Sequence, residues 1–216
     1  MINDIQTILK NIKTQYGDVA SWAVWKTAIG NNLVSNMEVD GLFDLDTNPK
    51  ILDQLNNNII MVGYNFSIPL NNPPTFHNFH TYNGAIMKYM TLRNASKIRY
   101  AFTGTSYYGA YMTDIIKNYV ESKSENVKTT DIDNDFSIFR KEIETLQADE
   151  PTIIAFGSKV YNLLNQHLKP YEYSKLIRVP HYSHYGDSCA THEGYREKVL
   201  NQLTIIAQQK NRGDRC

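Results

Sequence analysis

Apolar positions along the chain change their period several times, and each change marks an element. Ile2, Ile5, Leu9 and Ile12 fall at helical spacing with polar residues between them. That predicts an amphipathic helix laid on a core, not the unbroken apolar stretch of a signal peptide. "SWAVWK" (Ser21 to Lys26) alternates as a short strand does, and aromatic packing beneath a helix is an equal reading. "DTNPKILDQLNNN" (46–58) has a capping Asp or Thr, a proline near the first turn and apolar residues at helical spacing, with asparagines to stop the helix. The apolar run Ile59 to Val62, closed by Gly63, predicts a buried strand. "SIPLNNPPTFHNFHTYNG" (67–84) reads as an ordered loop, too apolar for a flexible linker, and "AIMKYMTL" (85–92) reads as a helix.

Further on, "KIRYAFTGT" (97–105) and "YMTDII" (111–116) look like strand ends, or a strand and a helix start, around the turn "GTSYYG". The polar segment 121–135 is a surface loop, after which Phe136, Phe139, Ile143 and Leu146 share one helical face. "PTIIAFG" is a second short buried strand ending at glycine; the following helix is capped by Ser158 and stopped by Pro170. "SKLIRVPHYSHYGD" runs a third strand into a His-rich loop, and the last helix puts Val199, Leu200, Leu203 and Ile206 on one side. Strand and helix thus alternate without internal repeat or long linker, so residues 1–216 are expected to form a single α/β domain. The expected architecture is three-layer α/β/α around a mostly parallel four-stranded sheet. Ligands of such sheets lie beyond the carboxyl ends of the strands, so the loops "GYNFS" and "HYSHYGD" should be neighbours.

Composition narrows the function classes. With 42% hydrophobic and 20% charged residues the chain is ordinary globular material. Its 22 basic and 22 acidic residues cancel, so binding to a polyanion must come from a local basic patch. Fifteen tyrosines supply flat faces with polar tips, suited to binding sites as well as cores. No apolar run approaches the roughly 18 residues of a membrane span, and two cysteines make no disulfide framework. A cytoplasmic protein without membrane partner is the expectation.

The loops that follow the strands carry the chemistry. "VGYNFS" sits after one strand, "FHNFH" about a dozen residues later. "YMTD", "IIAFGSKVYNLL" and "VPHYSHYG" follow in order. In order and approximate spacing these five elements, across about residues 58 to 186, resemble the uracil-DNA glycosylase superfamily. Phe66 and Tyr182 stand where that family usually has prolines, and Asp114 where its base-reading asparagine would be, so the resemblance is to a divergent branch. The four cysteines of the iron–sulfur branch are missing; no cluster, metal or other cofactor is expected.

The resemblance implies a monomeric DNA glycosylase acting on a flipped base. Asn65 would hold the attacking water, against the alternative of a left-handed turn after Gly63. His181 would donate to the base carbonyl as charge collects there, against the alternative of a structural histidine capping a loop. Phe79, with Phe76 as the competing assignment, would stack on the base, and Tyr64 would form the pocket wall. Ser183 would bind a phosphate oxygen, and Tyr185 would be the wedge that fills the gap left by the base. Apart from the resemblance, Lys117, Lys88, Arg93, Lys97 and Arg99 could form part of a phosphate-facing surface, against the alternative of scattered, solvated exterior charge. An ionised Asp114 presents only acceptors, which suits an exocyclic amine better than the uracil edge; its alternative role is as N-cap of a helix beginning "IIKNYVES".

Two rival readings use the same residues. His181, His184, Cys189 and His192, spaced H-x2-H-x4-C-x2-H, are possible zinc ligands of a zinc-dependent hydrolase. A binder that keeps the pocket without turnover is favoured by the missing prolines and Asp114. The terminal "RGDRC" is read as chance.

Overall fold

The computed structural model describes residues 4–65, 74–81, 88–117, 121, 126–127 and 131–213. Ile2, Phe66 with the rest of the loop to residue 73, the segment 118–120, the side chains of Lys88 and Ile206, and Asp214 of the terminal tripeptide lie outside the described residues. Helix α1 (Ile5–Tyr16) begins where the Asp4 carboxylate accepts the Thr7 N–H at 2.8 Å, and it buries Ile8, Leu9 and Ile12 as its spacing requires. Strand β1 is reduced to Ser21–Trp22, because the chain then turns back on itself through a Val24 N–H to Trp22 C=O bond. The remaining elements are β2 (Asn56–Asn65), α2 (Lys88–Phe102), β3 (Ala110–Ile116), α3 (Ile132–Leu146), β4 (Thr152–Phe156), α4 (Ser158–His167), β5 (Lys175–Val179) and α5 (His192–Gly213).

The sheet has five strands in the order β1-β3-β2-β4-β5, not the four expected. Four of them, β2 to β5, are parallel, and the fifth is β1, antiparallel on the edge of β3. Helices cover both faces. On one lie Ile8 and Ile12 of α1, Phe139 of α3 and Leu164 of α4. On the other lie Ile98 and Phe102 of α2 and Tyr195 and Val199 of α5. Among the described residues no helix is long and apolar enough to cross a membrane.

Five local readings change. The segment 121–135 is not loop to its end, because the Asp131 carboxylate caps a helix that starts at Ile132 and takes in 132–135. Pro49–Gln54 is a 3₁₀ turn rather than a helix, and the asparagines expected to stop a helix instead start β2. "KIRYAF" is helical: Ala95, Ile98 and Phe102 recur at helical spacing and all are buried, which outweighs the strand preference of the β-branched and aromatic residues among them. Ser158 does not cap α4; Gly157, with φ of 91°, holds the N-cap position, and no side chain bonds there. Asp114 is not an N-cap either, since it lies inside β3 with Ile115 and Ile116 continuing the strand.

Candidate functional site

Because β2, β4 and β5 are parallel, the chain leaves all three at one edge of the sheet. Asn65 ends β2, Gly157 follows β4, and His181 lies just past β5. With strands about 4.8 Å apart, the exits of β2 and β5 are roughly 10 Å apart.

β2 does not stop at Gly63. It continues to Asn65, and neither residue has positive φ, so the left-handed turn reading of Asn65 falls. Gly63 is required for another reason. It pairs with Asp114 of β3, and a Cβ on residue 63 would lie 2.1 Å from Asp114 Oδ1. The missing side chain is the space that the carboxylate occupies. Strand alternation sends Tyr64 to the opposite face, where it is buried in the α1/α3/α4 core with the Lys159 ammonium 3.6 Å from its ring centre. Tyr64 is therefore not a wall of a pocket containing Asp114. The Asn65 side chain is oriented by its Nδ2, which donates to the Glu121 carbonyl at 2.8 Å.

Asp114 is 2% exposed. Its Oδ2 accepts from Asn78 Nδ2 at 2.9 Å, while Oδ1 has no hydrogen-bond partner among the described residues. Burial raises its pKa from 3.8 to about 6, opposed by the Asn78 bond and the Lys117 charge. Asn78, which sequence reasoning passed over, uses the same amide nitrogen on the Val19 carbonyl at 2.8 Å. Its only sequence signal was its position inside "FHNFH".

The loop carrying Asn78 is tied to the α1–β1 connection. Phe76 N–H donates to Gly17 C=O at 2.7 Å, Ser21 Oγ donates to Phe76 C=O at 2.8 Å, and buried His80 meets the Trp22 carbonyl at 3.0 Å. Both phenylalanines have positive φ, 63° and 65°, a conformation costing about 1–3 kcal/mol for a bulky residue. Their destinations differ. Phe76 is fully buried against Phe43, and Phe79 is half-buried beside the Asp114 side of the sheet. Phe79 forms a triangle with Phe156 at 6.4 Å and Tyr182 at 6.1 Å, closed by Phe156–Tyr182 at 5.1 Å. Tyr182, noted in the sequence only for not being proline, also lies 4.2 Å from the His181 ring, and burial, reinforced by the charge of Asp114, raises its pKa. This aromatic wall spans the interval between Asp114 and His181.

His181 is held from its Nδ1 side. The Ser183 N–H lies 3.2 Å and Ser183 Oγ 2.7 Å from Nδ1. A backbone N–H can only donate, so Nδ1 is the acceptor and the ring proton is assigned to Nε2. Burial, reinforced by His184, lowers the His181 pKa to about 4, so the ring is neutral at physiological pH. Ser183 thus orients His181. His181 also borders a cavity of about 380 Å³ whose lining includes Ser158, Arg178, His184 and Lys198.

The expected phosphate-facing lysines are elsewhere. Lys117 is 7% exposed and pairs with Glu142 at 2.7 Å, so this buried ammonium is not a DNA contact. Lys97 is fully buried and binds the carbonyls of His184 and Cys189 at 3.1 and 2.7 Å, pinning the His-rich loop to α2. Arg99 is buried on the carbonyls of Lys26 and Ser35. Arg93 remains, stacked with Lys97 on Tyr185 at 4.1 and 4.4 Å. Tyr185 itself is 45% exposed.

The four possible zinc ligands do not gather. His192 is engaged with Ser96 Oγ at 2.7 Å, Cys189 is buried, and no group of three or more His, Cys, Asp and Glu converges among the described residues. No family model, no curated protein and no solved structure matches this chain.

Proposed function

We propose that this chain is a DNA glycosylase-like hydrolase with a uracil-DNA glycosylase-like fold, cleaving the N-glycosidic bond of a flipped base. The observation that carries the reading is the continuous path along one sheet edge. It runs from the half-partnered Asp114, across Phe79 and Tyr182, to a neutral His181 whose Nε2–H is the donor. Such a path offers a base one edge reader, one aromatic face and one donor.

In the reaction the bond between base nitrogen and C1′ breaks, and its electron pair leaves on the base, spreading to the ring carbonyl oxygen. His181 Nε2–H donates to that oxygen; the bond strengthens as charge grows, so it favours the transition state over the ground state. A water donates to Asn65 Oδ1, adds its oxygen to C1′ and gives up a proton that ends on the departing base. An amide orients water but is a poor base, so the leaving group carries most of the catalytic burden. Arg178 and Lys198, which line the cavity beside His181, would meet the DNA backbone.

A binder without turnover is the second reading. Tyr182 favours it, because a bulky ring in contact with both Phe79 and His181 takes space that a base would need. The two readings separate on oligonucleotides carrying uracil, hypoxanthine, xanthine or modified cytosines, assayed for abasic-site formation. Cleavage at one base, slowed by Asn65→Ala with little change in binding, supports the hydrolase. A folded protein that binds these strands and cleaves none supports the binder.

A further inference from the structure

Asp114 poses a problem that the fold does not solve internally. A carboxylate oxygen sealed from water without a donor is unfavourable, and the buried carboxylate on the opposite face, Glu142 of α3, has both oxygens met, one by hydroxyls and one by an ion pair. Glu142 receives the Tyr111 and Thr113 hydroxyls and the Lys117 ammonium. For Asp114 only Oδ2 is served, by Asn78, whose bond to Val19 C=O fixes the direction of approach. Oδ1 lies over Gly63, the one position where any other residue would push it away, and Phe79 packs beside the same glycine. A partner for Oδ1 must therefore be a hydrogen-bond donor, and the neighbouring Phe79 ring favours one carried on a flat group.

Resting on the glycosylase reading, we infer that the base taken by this site is an amino-bearing pyrimidine, of the cytosine class, whose exocyclic amine donates to Asp114 Oδ1. Uracil presents a carbonyl at that ring position, and its lone pairs would face those of the carboxylate. Asn78 is a positioning residue in this scheme. With its amide holding Oδ2, the carboxyl group cannot turn its unpartnered oxygen away from the base.

The test uses the full chain and oligonucleotides with a single cytosine, 5-methylcytosine or uracil, each also made in a 2′-fluorinated, hydrolysis-resistant form for binding. Abasic-site formation and affinity are measured for the wild type, Asp114→Asn and Asn78→Ala, with thermal unfolding to show that each variant is folded. The wild type is expected to favour the cytosine-class base by about tenfold or more at pH near 8, and Asp114→Asn to reverse the order by a similar factor. Asn78→Ala should shrink the preference without reversing it, a result that a merely structural role would not give. Equal or better use of uracil by the wild type, with a ratio unmoved by Asp114→Asn, overturns the inference and leaves the glycosylase reading standing. Selective binding that reverses in Asp114→Asn without cleavage removes turnover and keeps the base selection. Folded protein that neither binds nor cleaves any strand removes both.

Discussion

Asp114 of β3 and Glu142, which α3 brings against Tyr111 and Thr113 of the same strand, face β3 from opposite sides, and both are buried. Glu142 is matched by two hydroxyls from β3 and by Lys117, which also binds the main-chain carbonyl of Asp114. Asp114 has one amide donor and one idle oxygen. The contrast separates two uses of a buried charge. A carboxylate met at both oxygens fixes how α3 docks on the sheet, whereas a half-answered one leaves an acceptor open at a cost in stability, the property that the proposed base selection draws on.

The largest effect should come from breaking the answered side. Glu142→Gln leaves the Lys117 ammonium buried without its counter-charge and is expected to destabilise the fold by about 3–5 kcal/mol, read by denaturant unfolding. Asp114→Asn should do the opposite. The Asp114 pKa is raised from 3.8 to about 6, so the native state holds this proton more tightly than the unfolded chain does. Its contribution is favourable below 3.8 and is lost as pH rises through 6. Asp114→Asn, which can still accept from Asn78, is therefore expected to stabilise by about 2–3 kcal/mol near pH 8 and by almost nothing near pH 4. Melting temperatures across that range decide the matter; a variant less stable than wild type at pH 8 would show that the carboxylate is not strained.

The histidines sharpen the same measurement. His80 and His181 have pKa values lowered from 6.5 to about 4, so their contribution is present above 6.5 and is lost as pH falls through 4. In the wild type Asp114 offsets part of this acid loss. The melting temperature of Asp114→Asn should accordingly fall more steeply than that of the wild type between these limits. A smaller effect is expected at Gly63. Gly63→Ala drives a methyl into Asp114 Oδ1 and should cost about 1–3 kcal/mol. Most of that cost should vanish in an Asp114→Ala background, a coupling that a double-mutant cycle measures.

β4 and β5 were legible because each is a short apolar run closed by glycine or proline, whereas β2 runs on past Gly63 to Asn65; that the exits of β2 and β5 share one edge followed from parallel pairing alone. Other features depend on partners distant in sequence. Lys117 reads as surface until α3 brings Glu142 over it, and the reason for Gly63 lies across the sheet on β3. Asn78 meets Asp114 through a loop closed by contacts to α1 and β1, which no local period announces. The placement of Tyr64 on the far face, by contrast, was available from alternation. Gly63 and Tyr64 are neighbours on one strand and cannot both face the same pocket.

The proposed role of His181 is to supply a neutral donor to a base that departs with its bonding electrons. Its most direct measurement is the single-turnover cleavage rate of His181→Ala against wild type, on whichever oligonucleotide of the panel is cut fastest, with affinity for the hydrolysis-resistant form measured in parallel. A fall in rate of roughly 10²–10³ is expected, with affinity changed far less. An unchanged rate, or a loss of affinity that accounts for the whole effect, would contradict it.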